Sequence, residues 1–330
     1  MTQEEIQEEI EGFEYYNSEE DDSYVGMSEP NKMEGTRYLC HYMIDYAEYS
    51  IEHYDDGGVS GNYTYTQYHN WESKEKVNAL LDTKWHQGDP FNAFCPVKHK
   101  YWTWIFGPSR RAPAGCVPVA LAQIMAYHEY PQSISYFGVN IDWKEVKKIG
   151  HWDWRRRDQN NNNSQMAAAL LRGIGNGSNV IYGYSSTFGL PNLAKGYLKM
   201  KGYRNVQIHL GANESKTLEM LRNSKPVFIS GVAGLVGGHA WVIDGFRTNE
   251  RLIELKNSTN GIVQSSYKET RTLLHCNFGW EGRSDGYYAS GIFNTKYEPV
   301  DYDNKDNQST SSNKSHYKWL FSIITYDVNK

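Results

Sequence analysis

A thiol that is to attack a carbonyl must be poised as a thiolate, and a helix N-terminus favours that charge through its unpaired N–H groups and its dipole. The chain has four cysteines, Cys40, Cys95, Cys116 and Cys276, and Cys116 is the one placed for this. Ala114-Gly115 precede it, small enough to let a substrate backbone approach, and VPVALAQIMAYHEYP follows at helical spacing. Pro118 suits a first helical turn and Pro131 a stop, so a buried helix is expected from Cys116 to Pro131. Such a nucleophile needs an imidazole as proton acceptor, itself held by a third group. Of eleven histidines, His239 is the best candidate, because it follows Gly237-Gly238 and opens the strand HAWVIDGF. Asn277, in HCNFGW, ends a later strand, where its amide oxygen could accept the ring's Nδ1–H and fix tautomer and orientation. His275 is the rival base; it shares a strand face with Asn277 but lacks the glycine approach.

The order Cys, His, Asn, with gaps of 123 and 38 residues, is that of a papain-like arrangement. Three blocks carry a more specific likeness: GCV…AQIM…YH…YP at 115–131, GGHAWVIDGF at 237–246 and HCNFGWEGRSDGYY at 275–288, with WHQGDPFN at 85–92 upstream. In these the chain resembles the streptopain family of papain-like cysteine peptidases over roughly residues 80–328. The resemblance implies a two-lobed α+β fold, with the nucleophile at a buried helix N-terminus in a helical lobe and the histidine in an antiparallel β lobe. It implies Cys116 as nucleophile, His239 as general base and acid, Asn277 as the group orienting the ring, and Gln87 as oxyanion donor beside the Cys116 N–H. Trp280 would shelter the ring, Gly238 would offer backbone to substrate, and Ser185 and Ser186 would lie on a substrate-side loop. Two positions depart from the family pattern: Phe278 stands where Trp is usual after the Asn, and Pro118 replaces a small residue. Residues 1–75 do not resemble the family's propeptide.

The elements that must position these groups are legible in outline. Further helices are expected at Gln165–Arg172 and Pro191–Lys201, and a short one at Thr36–Tyr54, where Tyr38, Tyr42, Tyr46 and Tyr49 form a stripe. Residues 55–61 read as a turn, residues 70–82 as a connecting or short helical piece, and 298–315 as a polar insertion. Strands are expected at 226–232, 239–246, 271–278 and 317–328. Helices precede strands, which is an α+β pattern. The domain reading is an acidic N-terminal segment over 1–78, then a catalytic domain over 79–330, its helical lobe mainly 79–205 and its β lobe mainly 206–330.

At 330 residues, with 39% hydrophobic and 14% aromatic content, the chain has ample material for a core. The net charge of −5 conceals a division: residues 1–60 carry 17 acidic side chains against Lys32 and Arg37, leaving the remainder at +10. The acidic segment is expected to act as a flap over the basic body, a solvating leader being the alternative. The scattered positive charge, with Arg155-Arg156-Arg157 its densest run, does not form a nucleic-acid footprint. No apolar run of about 18 residues suggests a membrane span, and no intact signal peptide opens the chain. The cysteines show no metal-ligand spacing, and buried thiols are expected for those other than Cys116. No cofactor is expected. The partners expected are protein or peptide substrates and an intramolecular acidic segment or a proteinaceous inhibitor, and the resemblance implies export from a bacterial cell. Two readings compete with the peptidase: an idle papain-like module that binds peptides, and an acyl transferase using the same residues.

Overall fold

The computed structural model describes residues 64–100, 108–149, 162–233, 237–295, 301–302 and 315–328. The expected helix at Thr36–Tyr54, the turn at 55–61, the acidic segment 1–60, the Arg155–Arg157 run and most of the polar stretch 298–315 lie outside the described residues.

In chain order the main elements are strands β1 (Thr64–Tyr68) and β2 (Glu72–Val77), then helices α1 (Cys116–His128), α2 (Trp143–Val146), α3 (Asn162–Gly177) and α4 (Pro191–Met200). Strand β3 (Arg204–Leu210) and helix α5 (Glu214–Arg222) follow, then strands β4 (Val227–Ala233), β5 (Gly237–Asn257), β6 (Val263–Asn277), β7 (Gly286–Ala289) and β8 (Trp319–Asp327). The fold is mixed, with sheet dominating. Residues 70–82, expected as a connecting or short helical piece, instead contain β2, whose ESKEKV puts Glu72, Lys74 and Lys76 on one face. The strand pair framing residues 250–270 was expected far shorter, because its tip (NSTNGIVQSSYKE) is too polar to signal a strand.

Two compact units emerge. One holds residues 64–72 and Glu250–Thr270, where β1 pairs antiparallel with the far end of β5, Thr64 opposite Asn257 and Tyr68 opposite Ile253. Arg251 lies between the Tyr68 and Trp71 rings and pairs with Glu269 at 2.7 Å. The other unit, Ser73–Asn249 with Arg271–Lys330, holds the helices and the body of the sheet, in the order Asp301–Tyr302, β7, β6, β5, β4, β8, β3. Its central strands carry continuous apolar runs such as Val227–Ile229 in β4, a pattern that suits burial on both faces.

Helix α1 packs against α3 and β4. It is apolar almost all round, and every residue from Val117 to Ala126 is buried, which places it inside the unit instead of on its surface. It ends at Glu129, whose left-handed backbone returns its N–H to the Met125 and Ala126 carbonyls. At its start, Gly115 has φ 101° and ψ 145° and supplies no side-chain cap. A β-carbon there would sit 2.9 Å from Thr187 Cγ2, so both conformation and space demand glycine. The sequence expectation that this glycine serves substrate approach is therefore joined by a structural reason.

Gly115→Ala is predicted to cost about 1–3 kcal/mol, a fall in Tm of several degrees, because it forces a side chain into positive φ against a packed threonine. Thermal unfolding of the purified variant measures this, and an unchanged Tm would contradict the packing described.

Candidate active site

The segment leading into α1 is pinned from two sides. Ala112 donates its N–H to the Pro96 carbonyl at 2.9 Å and Ala114 to the Gln87 carbonyl at 2.8 Å, while Thr187 Oγ1 donates to the Pro113 carbonyl at 2.6 Å. Cys116 is thereby fixed as the first residue of α1. The backbone N–H groups of Cys116 and Val117, two of the unpaired donors of a helix start, serve its sulfur, and so does that of Ala240 on β5. Ala240 directly follows His239, so the contact that fixes the sulfur also ties the helix start to the histidine strand. Burial outweighs these three donors and pushes the Cys116 thiol up from its ordinary range. Burial thus works against the charge that the helix start favours.

His239 lies opposite Gly231 in the β4–β5 register and is only 7% exposed. Its ring Nε2 is 2.8 Å from the Phe278 carbonyl, an acceptor only, so Nε2 carries the proton and Nδ1 keeps the lone pair. Aromatic rings close around it. Its centroid is 4.6 Å from that of Trp280, 5.8 Å from Tyr317, and 6.1 Å from both Trp241 and Phe278. The Tyr317 phenol, pushed up by burial, also feels the Cys116 sulfur. Burial drives the His239 pKa down to about 4, against the opposing effect of the Phe278 carbonyl. Burial thus favours the uncharged form of each group.

Asn277 was expected to orient the ring, and its side chain is engaged elsewhere. Its Oδ1 accepts from Gln123 Nε2 at 3.2 Å and from the Gly279 N–H at 3.1 Å, and its Nδ2 donates to the Thr83 carbonyl at 2.8 Å. Thr83 Oγ1 donates to Gln123 Oε1 at 2.9 Å, closing the network. Both acceptor sites of the amide oxygen are thereby taken, and the acceptor that meets the His239 ring is the carbonyl of the next residue, Phe278. Asn277 instead ties three segments together: residue 83, the middle of α1 and the turn after β6. That turn is further set by Phe278 N–H on Asp285 Oδ1 at 2.9 Å, with Lys84 on the other carboxylate oxygen at 3.0 Å. His275, the rival base, is committed to Asp244 through Nδ1 at 2.5 Å, and Asp244 Oδ2 also accepts the Leu81 N–H.

A cleft of about 670 Å³ brings together Gln87, Pro113, Ser185 and Trp280, while Cys116 and His239 themselves do not line it. Ser186, exposed, and Gly238, exposed one residue before His239, do not line it. The Gln87 side chain makes no hydrogen bond among the described residues, and its loop is held by its neighbour. His86 Nδ1 accepts the Gly88 N–H at 3.1 Å, its Nε2 lies 3.3 Å from Glu281 Oε1, and the Glu281 N–H reaches back to the Trp85 carbonyl at 3.3 Å. His86 thus joins the Gln87 loop to the turn that carries Trp280.

Phe278 as acceptor, Tyr317, Thr83 and His86 escaped sequence reasoning, since carbonyl directions and cross-chain contacts leave no local pattern. Gln123 had a signal: it is a polar residue inside an apolar helix, seven positions from Cys116, and a buried amide must be paired. Cys95 and Cys276 are buried unpaired thiols, and burial lifts Cys95 to about 11. Cys40 lies outside the described residues.

Residues 85–288 match the model of the peptidase C10 family. Over 250 residues the chain is 28% identical to the streptopains of Streptococcus pyogenes serotype M28 (strain MGAS6180) and serotype M1. The match covers 66% of this chain and 56% of each relative, so the chain spans little more than half the length of these curated relatives. The fold is shared with active wild-type interpain A cysteine protease of Prevotella intermedia, at TM-score 0.52 and 21% identity, over 76% of this chain and 94% of that one. The matched region contains Gln87, Cys116, His239 and Asn277 in order, and on this evidence the chain belongs to the peptidase C10 family.

Proposed function

We propose that the chain is a cysteine endopeptidase acting on unfolded protein or flexible peptide segments through a covalent acyl-enzyme. The observation that carries this is the meeting of Cys116, at the start of a buried helix, with the backbone just after His239, whose ring presents one bare nitrogen. The finer architecture accords with it: a helical lobe, mainly 79–205, supplies Cys116 and Gln87, and a β lobe, mainly 206–330, supplies His239.

His239 Nδ1 takes the Cys116 proton as the sulfur bonds to the scissile carbonyl carbon, and the C=O electron pair moves onto oxygen. Gln87 and the Cys116 N–H stabilise that oxyanion. The tetrahedral intermediate collapses as the imidazolium gives its proton to the leaving amine. Water, deprotonated by the same nitrogen, then releases the acid and restores the thiol. Because the resting pair is neutral, charge separates only as substrate arrives, and the Phe278 carbonyl bond stabilises the imidazolium that forms. Trp280 over the ring keeps competing water away. Asn277 acts through the scaffold, fixing the turn that presents the Phe278 carbonyl. Export from a bacterial cell and an inhibitory role for the acidic N-terminal segment are parts of the same proposal, supported by the resemblance to streptopain and by the charge division.

Cys116→Ala is predicted to abolish hydrolysis of an unfolded protein substrate, and undiminished hydrolysis would refute the assignment. Gln87→Ala should lower kcat about 100-fold or more with little change in Tm, the loss of one oxyanion donor being worth about 2.7–4 kcal/mol.

The His239 shift also has a sign in stability. Between about pH 6.5 and about 4 the unfolded chain binds this proton and the folded chain does not, so stability rises with pH across that window. The contribution is fully present above about pH 6.5 and is lost as pH falls towards 4, on the order of 3 kcal/mol in all. Urea unfolding of the native chain and of His239→Asn across this range measures it: the native chain should lose more stability on acidification. Parallel pH profiles would show that His239 is not held neutral.

A further inference from the structure

The peptidase reading leaves part of the cleft wall without a role. Arg110 and Arg111, at the end of the hairpin formed by Val97–His99 and Ser109–Arg111, both line the cleft and both are exposed. Each is tethered by a single nitrogen to a backbone carbonyl: Arg110 Nε to Tyr184 and Arg111 Nη1 to Cys95, both at 2.9 Å. The Arg110 guanidinium also lies 4.4 Å over the Tyr184 ring. Neither is bonded to a carboxylate among the described residues. The other cleft arginine differs, since Arg283 is paired with Glu281 at 3.1 Å.

Two guanidiniums on the cleft wall, each held by a carbonyl, Arg110 also by a ring, and neither bonded to a carboxylate among the described residues, leave donors over for a substrate carboxylate. Tethering to carbonyls leaves the positive charge intact, and the planar fork of each keeps donors facing open solvent. Arg111 stands five positions before Cys116, a span of at most about 18 Å in extended chain. An extended substrate lying in the cleft would therefore reach the pair within about five residues of the scissile bond.

We infer that Arg110 and Arg111 form a specificity subsite that selects an acidic side chain in the substrate, within about five residues of the cleaved bond. This rests on the peptidase reading for its place in catalysis, and its recognition step can be measured without catalysis.

The test uses the full chain with Cys116→Ala and fluorescein-labelled peptides with an Ala-Ala centre. Members of each pair differ only by Asp or Asn, scanned through the positions on both sides of that centre. At one position Asp should bind about fivefold more tightly than Asn, as befits an exposed ion pair, and the ratio should shrink in about 0.5 M salt. Arg110→Gln with Arg111→Gln should bring the ratio to about one. If that variant unfolds, Arg110→Lys with Arg111→Lys, which keeps charge but loses the fork, should give an intermediate ratio, and the salt dependence of the parent stands as the second measure. Equal binding of every pair, or a preference that survives loss of both arginines, overturns the inference. In the active chain the same position should govern kcat/KM. An Asp preference in binding with no Cys116-dependent hydrolysis would leave the subsite standing and remove the peptidase reading instead.

Discussion

The site depends on one hydrogen bond made in a dry place, from His239 Nε2 to the carbonyl of Phe278. A carbonyl accepts and cannot donate, so the bond decides which ring nitrogen holds the proton and leaves the other bare. Aromatic rings on several sides deny the ring water and hold its orientation. The consequence is electrostatic. With the sulfur also desolvated, burial favours the uncharged form of each partner, against the backbone N–H groups that favour a thiolate.

That bond is only as good as the placement of the Phe278 carbonyl, and the surrounding structure is organised to secure it. The Asn277 amide ties the turn to Thr83 and to Gln123 in α1, while Asp285 receives the Phe278 N–H and is balanced by Lys84. Because Gln123 stands two helical turns from Cys116, the network that fixes the imidazole acceptor also fixes the helix presenting the sulfur. His86 does the same for the Gln87 loop through Glu281. Cys116, His239 and the Gln87 loop therefore share one framework of buried and partly buried polar contacts, and contacts of this kind rigidify when every member is satisfied.

Much of this was legible beforehand where chemistry is local. The helix at Cys116 announced itself through apolar periodicity and Pro118, and the strand at His239 through glycines followed by an apolar run. The glycine at 115, read as room for substrate, also answers to positive φ and the Thr187 methyl. The role first given to the Asn277 side chain belongs to its neighbour's carbonyl, and composition carries no trace of where a carbonyl points. The polar hairpin of residues 250–270 escaped because the Val263–Lys268 side of it exposes its side chains, leaving no apolar alternation to read there. A helix start argues for a thiolate only when water is ignored, and the degree of burial follows from packing that no single segment encodes.

The neutral resting pair is best tested by nitrogen NMR of the His239 ring in the full chain, assigned with His239→Asn. The account predicts at about pH 6 a neutral ring protonated at Nε2 with Nδ1 bare, taking its second proton only near pH 4. A ring doubly protonated at about pH 6–7, or a neutral ring protonated at Nδ1, would contradict it.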